Sequence, residues 1–430
     1  MKGKILLTIA CTLFLFSKIT FAQETKTKLF EWLKSKSEID IKEITYSDNY
    51  NEAYEIMIEQ PVDHKNPDGD KFRQQIFLFN VNENSPVVIE LDGYDVDGKR
   101  KNELSQLLKS NYILVEHRYF AESTPENKNW QYLNIEQAAG DAHRIIQLFK
   151  EYYKNKWVST GISKGGQTTI YHRYFYNDDV DASVPYVAPI NLAKEDPRIF
   201  TFLNNVGDES CRHIIKEFQR NALAKKTEIL PIILKKAEAD GIEFVIDPMM
   251  AFEYAILEYP FYFWQWDDNC AGVPGTYVSC EKIADYLWGL KFFDLYDVKE
   301  LKRIESFFYQ AYTEIGYYGY DITDFNDLIT EVKNPTNEIF APKEVNLKYN
   351  YESMQKVYEW IMNEGQNFIF IYGEYDPWNA SSVQLNGTTN SIKMVKKAGS
   401  HATRIKHFNN EEKELIYSTL EKWLDIKINR

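Results

Sequence analysis

Trp157-Val158-Ser159-Thr160-Gly161-Ile162-Ser163-Lys164-Gly165-Gly166 is the stretch whose reading decides the fold of this 430-residue chain. It opens as a short apolar run and closes on Gly-x-Ser-x-Gly, and an amphipathic segment from Gln167 to Tyr176 follows. Strand, tight turn and helix in that order make a nucleophile elbow. The serine of an elbow sits on a strained turn that aims its hydroxyl away from the sheet. Glycines two residues before and after keep side chains from colliding there. The competing reading is a glycine-rich turn that merely opens a helix; the flanking strand and helix favour the elbow.

Working outward, other dense apolar runs share the character of 157–161. They are Pro86-Val87-Val88-Ile89-Glu90-Leu91, Tyr112-Ile113-Leu114-Val115-Glu116 and Phe368-Ile369-Phe370-Ile371-Tyr372-Gly373. Such runs suit strands buried on both faces of a parallel sheet. Helical segments at 134–154 and 167–177 separate them, which is the α/β pattern. Two earlier strands are expected at 53–60 and 71–81, and a short helix at 29–35. From about residue 192 the character changes. Helices are expected over 210–240, 249–264, 280–293 and 298–315, with breaks at Pro248, Pro260 and the turn 272–275. The sheet resumes near 366, and a helix over 410–425 closes the chain. The expected fold is therefore α/β, an α/β-hydrolase fold with a mostly parallel central sheet and a large helical cap insertion. Its parts are 23–191, the cap 192–350, and 351–430.

A serine at neutral pH is a weak nucleophile. It needs an imidazole to take its proton, and the imidazole needs an acid to fix its tautomer. On this fold the chain order is Ser, acid, His. Three histidines lie beyond the helix after Ser163: His213, His401 and His407. His213 falls in the expected cap, and His407 reads as a surface residue. His401 lies in a loop of small residues before the closing helix, where a triad histidine belongs. The acid is expected after the 368–373 run. Asp376 is the choice because Pro377 turns the chain there and offers no competing amide. Glu374 is the alternative. The oxyanion needs preorganised N–H donors. The backbone N–H of Lys164 is one. The other is expected from Leu91-Asp92-Gly93-Tyr94, at Tyr94 or alternatively Gly93. Asp92, Asp95 and Asp97 lack an EF-hand ligand order and read as an acidic loop. No metal and no cofactor are expected.

The ends and the composition bound the rest. Lys2 and Lys4 precede an apolar run, Ile5 to Phe16, and Thr20-Phe21-Ala22 resembles a cleavage site. Residues 1–22 therefore read as a signal peptide, and the protein as exported, periplasmic or extracellular. Lipidation at Cys11 fits poorly, because the apolar run continues past it. No other run approaches the ~20 apolar residues of a membrane span. The net charge of −14 argues against a nucleic-acid partner. Export favours an oxidising compartment, where Cys270 and Cys280, flanking a Gly/Pro turn, are the preferred disulfide pair and Cys211 is left over. Aromatic residues make up 15% of the chain, and they cluster in the cap at 259–266, 286–293 and 307–320.

Four stretches resemble the secreted tripeptidyl/prolyl aminopeptidases, the PS-ten serine peptidases, a sister group of the prolyl carboxypeptidase and dipeptidyl peptidase family. They are Gln60-Pro61-Val62-Asp63-His64 with Phe72-Arg73-Gln74-Gln75, Glu116-His117-Arg118-Tyr119-Phe120, the elbow 161–166, and Tyr186-Val187-Ala188-Pro189. Gln75 departs from the family's Arg. The resemblance implies a serine exopeptidase of the α/β-hydrolase fold that releases short tri- or tetrapeptides from a free N-terminus, often after proline. It carries over Ser163, Asp376 and His401 as the catalytic residues.

Such an enzyme binds an oligopeptide and must hold its ammonium group, which calls for carboxylates in a partly closed cavity. The cap offers Glu209, Glu253 and Glu258, with Trp264 in the aromatic run beside them. His64, His117, Arg118 and His143 read as structural. Two alternatives use the same fold: a secreted carboxylesterase or lipase with the same triad, and a non-catalytic binding protein.

Overall fold

The computed structural model describes residues 26–430 except 47–49, 100, 267, 268 and 429. The expected leader 1–22, with Cys11, lies outside the described residues. Among them nine strands form one sheet: β1 (Ile39–Glu43), β2 (Glu52–Pro61), β3 (Lys71–Asn80), β4 (Val87–Leu91), β5 (Asn111–Val115), β6 (Trp157–Ile162), β7 (Ala182–Tyr186), β8 (Ile369–Gly373) and β9 (Ile392–Lys396). Their spatial order is β1-β2-β3-β5-β4-β6-β7-β8-β9. The pairs from β1 to β5 are antiparallel, and all those from β5 to β9 are parallel. This is the α/β-hydrolase fold. Strand order reverses at β4, whose neighbours are β5 and β6. In open parallel sheets the crevice at such a reversal, beyond the strands' carboxyl ends, is where ligands bind. The loops after β4 and β6, at Asp92-Gly93-Tyr94 and Ser163, meet there.

Helices α1 (Lys28–Lys34), α2 (Glu103–Leu108), α3 (Ile135–Lys150), α4 (Lys164–Phe175), α11 (Ser353–Asn363) and α12 (Asn410–Leu424) flank the sheet. Leu104, Leu108, Leu420 and Leu424 of α2 and α12 pack on one face. Leu29, Leu33, Ile145 and Phe149 of α1 and α3 pack on the other. Between β7 and β8 lie the cap helices α5 (Arg198–Leu203), α6 (Glu209–Ala224), α7 (Lys226–Asp240), α8 (Pro248–Trp266), α9 (Cys280–Gly289) and α10 (Val298–Gln310). A π turn, Ala311–Ile315, extends α10.

Several expectations need correction. The single helix over 210–240 is two, broken at Lys225. Pro260 does not end its helix but lies inside α8, where burial of the surrounding aromatic run outweighs the missing amide. The disulfide joins Cys211 to Cys270, not Cys270 to Cys280, with Cα atoms 5.5 Å apart. The Gly/Pro turn does not double the chain back on itself. It leads from the end of α8 to α9, whose Cys280 is unbridged and faces Glu228. Packing of α6 on α8 instead brings the first turn of α6 to Cys270; Gln219 Nε2 of α6 donates to Ile256 O of α8 at 2.7 Å. Closing a loop across 59 residues stabilises a fold by about 2–4 kcal/mol. Cys211→Ser should therefore lower the Tm by several degrees, and reductant should have no further effect on that variant. An unchanged Tm in a thermal melt would refute this.

Candidate active site

The elbow is built by steric necessity. Ser163 adopts φ 57° and ψ −121° between β6 and α4, a conformation costly for a non-glycine residue. Its N–H donates to Tyr186 O at 2.9 Å, and Gln167 N–H donates to Ser163 O at 3.0 Å. A Cβ at Gly161 would lie 2.1 Å from Gly165 O, and one at Gly165 would lie 2.6 Å from Leu91 O. Only glycine allows β4, β6 and α4 to approach so closely. The first-turn amides of α4 have no partner within the helix, so its positive end faces the Ser163 cavity.

Asp376 and His401 meet in the adjoining loops. Asp376 is fully buried and His401 nearly so. Asp376 Oδ2 accepts a hydrogen bond from His401 Nδ1–H at 2.7 Å, while Oδ1 accepts the Trp378 N–H at 3.2 Å. That leaves His401 Nε2 as the nitrogen free to face a nucleophile. Tyr375 N–H holds the histidine loop through Gly399 O at 2.8 Å, and His401 N–H donates to Gln265 O of cap helix α8 at 2.9 Å. Gln265 and Trp378, the main-chain partners of His401 and Asp376, line one cavity with Ser163. Glu374, the alternative acid, is exposed and accepts the Ala398 N–H. His407 accepts the Arg404 N–H.

On the oxyanion side, Tyr94 and Lys164 line the same cavity. The N–H groups of Gly93 and Tyr94 both donate to Asp92 Oδ1, at 2.7 and 2.9 Å. The expected second donor therefore already has a partner. The Lys164 side chain is buried and donates from Nζ to Gly93 O at 2.6 Å. Burial pushes its amine down to about 7. His117, buried beside it, is held well below the usual imidazole value by burial and by that neighbouring charge. Arg118 forms a bidentate pair with Asp141, to which His64 also bonds. His143 bonds Asp179. These groups are structural.

The cavity over Ser163 measures about 150 Å³. Across a wall made by Phe261 and Tyr318 lies a larger one of about 400 Å³ within the cap. The cap candidates divide between them. Glu258 lines the Ser163 cavity. It accepts the Tyr318 and Tyr320 hydroxyls at 2.7 and 2.8 Å, and burial pushes its carboxyl up to about 7. Glu209, in the first turn of α6, and Trp264 line the larger cavity. Trp264 packs where any side chain at Gly207 would collide with it. Glu253 is a correction. It pairs with Lys226 Nζ at 2.5 Å and accepts N–H groups from Thr330, Glu331 and Val332. With its oxygens so used, it ties α7 and α8 to the 330–332 loop. Burial alone would raise its carboxyl; the ammonium and amides outweigh that and hold it below the usual value.

Sequence reasoning missed Gln167 and Asn191, both buried residues of the Ser163 cavity. Gln167 follows Ser163 by one helical turn, a spacing that could have flagged it. Asn191 carries no such signal. It is fixed by Nδ2 donating to Gly316 O at 3.0 Å.

An elbow at the strand reversal of a mostly parallel sheet, a buried Asp–His pair beside it and a helical cap above define the class: a serine hydrolase of the α/β-hydrolase fold. The family follows from the chain as a whole. The family model described as PS-10 peptidase S37 matches residues 31–427, and the chain belongs to that family. It is similar to the prolyl tri/tetrapeptidyl aminopeptidase of Streptomyces mobaraensis, 30% identical over 376 residues, 85% of this chain and 79% of that protein. Among solved structures it is similar to a proline iminopeptidase of Mycobacterium smegmatis, at TM-score 0.40 and 11% identity, covering 85% of this chain and 98% of that one. It is also similar to acetyl xylan esterase 1 of a Thermoanaerobacterium species, at TM-score 0.39 and 10% identity, covering 91% and 90%. Among the described residues no helix is long and apolar enough to cross a membrane.

Proposed function

We propose that this protein is an exported serine exopeptidase that releases tri- or tetrapeptides from free N-termini, favouring proline before the scissile bond. The observation that carries the reading is the 2.7 Å Asp376–His401 bond, taken with a strained Ser163 whose cavity is lined from the cap by a half-buried carboxyl, Glu258. Ser163 Oγ attacks the scissile carbonyl as His401 Nε2 takes its proton. The oxyanion meets the Lys164 N–H and a donor from the Gly93–Tyr94 loop. The imidazolium then protonates the leaving amine, and water activated by the same nitrogen releases the peptide. The stacked rings of Phe261 and Tyr318, 4.1 Å apart, with Trp378 edge-on at 5.1 Å, form a flat apolar wall suited to a prolyl ring. Cleavage after residue 22 would deliver the enzyme outside the cytoplasm.

The product profile from a defined peptide library tests the reading. Free-amine prolyl peptides should yield tri- or tetrapeptides, and N-acetylation should lower kcat/KM about 100-fold, the scale of a lost buried ion pair. Turnover of acyl esters with none of peptides would favour the esterase alternative.

Glu258 adds a pH dependence. An ammonium is held by the ionised carboxylate, so kcat/KM on free-amine peptides should rise as pH rises through about 7; that ratio reports the free enzyme. Glu258→Gln should remove the part of this rise that acetylated peptides do not share, leaving the part that belongs to the histidine base, and should collapse the preference for free over acetylated termini. A preference that survives the substitution would move the ammonium site to Glu209.

A further inference from the structure

We infer that the Lys164 side chain is a positioning residue of the oxyanion site, fixing the plane of the Gly93–Tyr94 peptide unit, whose N–H is held by Asp92 Oδ1 in the resting enzyme and serves as the second donor to the oxyanion. The inference rests on Ser163 being the nucleophile.

The Gly93 carbonyl and the Tyr94 N–H belong to one planar trans peptide group and point in opposite directions. Lys164 Nζ grips the carbonyl end at 2.6 Å, and Asp92 Oδ1 takes the N–H end at 2.9 Å. Between them the plane of the unit is set. Glycine at 93 is imposed by packing, because a Cβ there would lie 2.6 Å from Lys164 Cβ and 2.9 Å from Gly165 N. A glycine also makes the following peptide plane the easiest one in the loop to rotate. The residue that forces glycine at 93 is thus the one whose amine keeps that glycine's peptide from turning.

The surroundings make the grip firm. The Lys164 stem is buried, and its ammonium lies 5.5 Å from the Tyr94 ring centroid and 5.1 Å from that of Phe120. Those rings meet edge to face, so the slot is rigid and the amine has few other places to go. Two donors to the oxyanion then depend on one residue. The Lys164 main chain supplies the first, and its side chain aims the second. In the resting enzyme the Tyr94 N–H belongs to Asp92. The charge that develops on the substrate oxygen competes for it, and the donor can be shared only if the plane is already in place.

The test is Lys164→Met, which keeps the backbone N–H and an unbranched stem for the slot, and loses the donor. On a prolyl peptide anilide kcat should fall about 10–100-fold, within the loss seen when one oxyanion donor is removed, while KM stays within about threefold. A peptide aldehyde, which forms a tetrahedral adduct on Ser163, should lose affinity by the same factor as kcat. The released product peptide should bind as before. Both inhibition constants are independent of the fraction of active enzyme, so partial misfolding does not blur them. Should the Met variant not fold, Lys164→Gln is read in the same way, because its amide falls short of the Gly93 oxygen. An unchanged kcat overturns the inference, and so does an equal loss of aldehyde and product binding, which marks general disruption of the site. A wild-type enzyme that forms no aldehyde adduct would instead defeat the nucleophile assignment on which the inference stands.

Discussion

Ser163→Ala is expected to lower turnover of every acyl substrate by about a millionfold while leaving the fold intact. Alanine keeps the Cβ and drops only Oγ, which makes no hydrogen bond among the described residues. The backbone cost at φ 57° is the same for both side chains, so stability should change by less than ~0.5 kcal/mol. The remaining catalysis would come from the oxyanion donors and from binding, which the substitution does not touch. Residual kcat, the thermal melt and labelling by a fluorophosphonate probe check the three parts. The probe should fail on the variant and succeed on the wild type. Turnover near the wild-type rate in a folded variant would sink the assignment. A wild-type protein that resists the probe would point to a binding protein that kept the fold.

Asp376→Asn should cost about 10⁴ in kcat, and the geometry says why the loss is so large for so small a change. Asp376 accepts on both oxygens, one from the Trp378 amide and one from His401 Nδ1. An asparagine can satisfy the Trp378 N–H only with its oxygen, which turns its NH₂ toward Nδ1. The imidazole must then accept at Nδ1 and carry its proton on Nε2. That tautomer cannot take a proton from serine. KM should move little, because no substrate contact is altered. A loss below tenfold would exclude Asp376 as the orienting acid.

The parts of this molecule legible in the sequence are those where chemistry or sterics leaves few residue choices. Gly161, Ser163 and Gly165 could be read because the β4–elbow contact tolerates nothing larger. The pairing of Asp376 with His401 could be read because Pro377 fixes the turn that presents the carboxylate. Strand β7 was not legible. Pro185 argues against a central strand, yet Ser183 and Val187 on either side of it donate to Asn367 O, just before β8, and to Ile371 O within it. Only the middle rung of that ladder is missing. The cap was legible as helix and illegible as a site. Glu253 and Glu258 are five residues apart on one helix, but one is saturated by Lys226 and three amides, and the other faces the cavity with two tyrosine hydroxyls. The disulfide failed for a related reason. Cys211 reaches Cys270 through the packing of α6 on α8, and spacing carries no trace of that.

The hydrogen bond from His401 N–H to Gln265 O ties the proposed base to the cap by main chain alone, so no side-chain change at Gln265 removes its acceptor and, at His401, only proline removes the donor. The histidine loop and the last turn of α8 therefore hold their mutual position whatever side chains stand at 265 and 401, and any displacement of that turn would have to break this bond first.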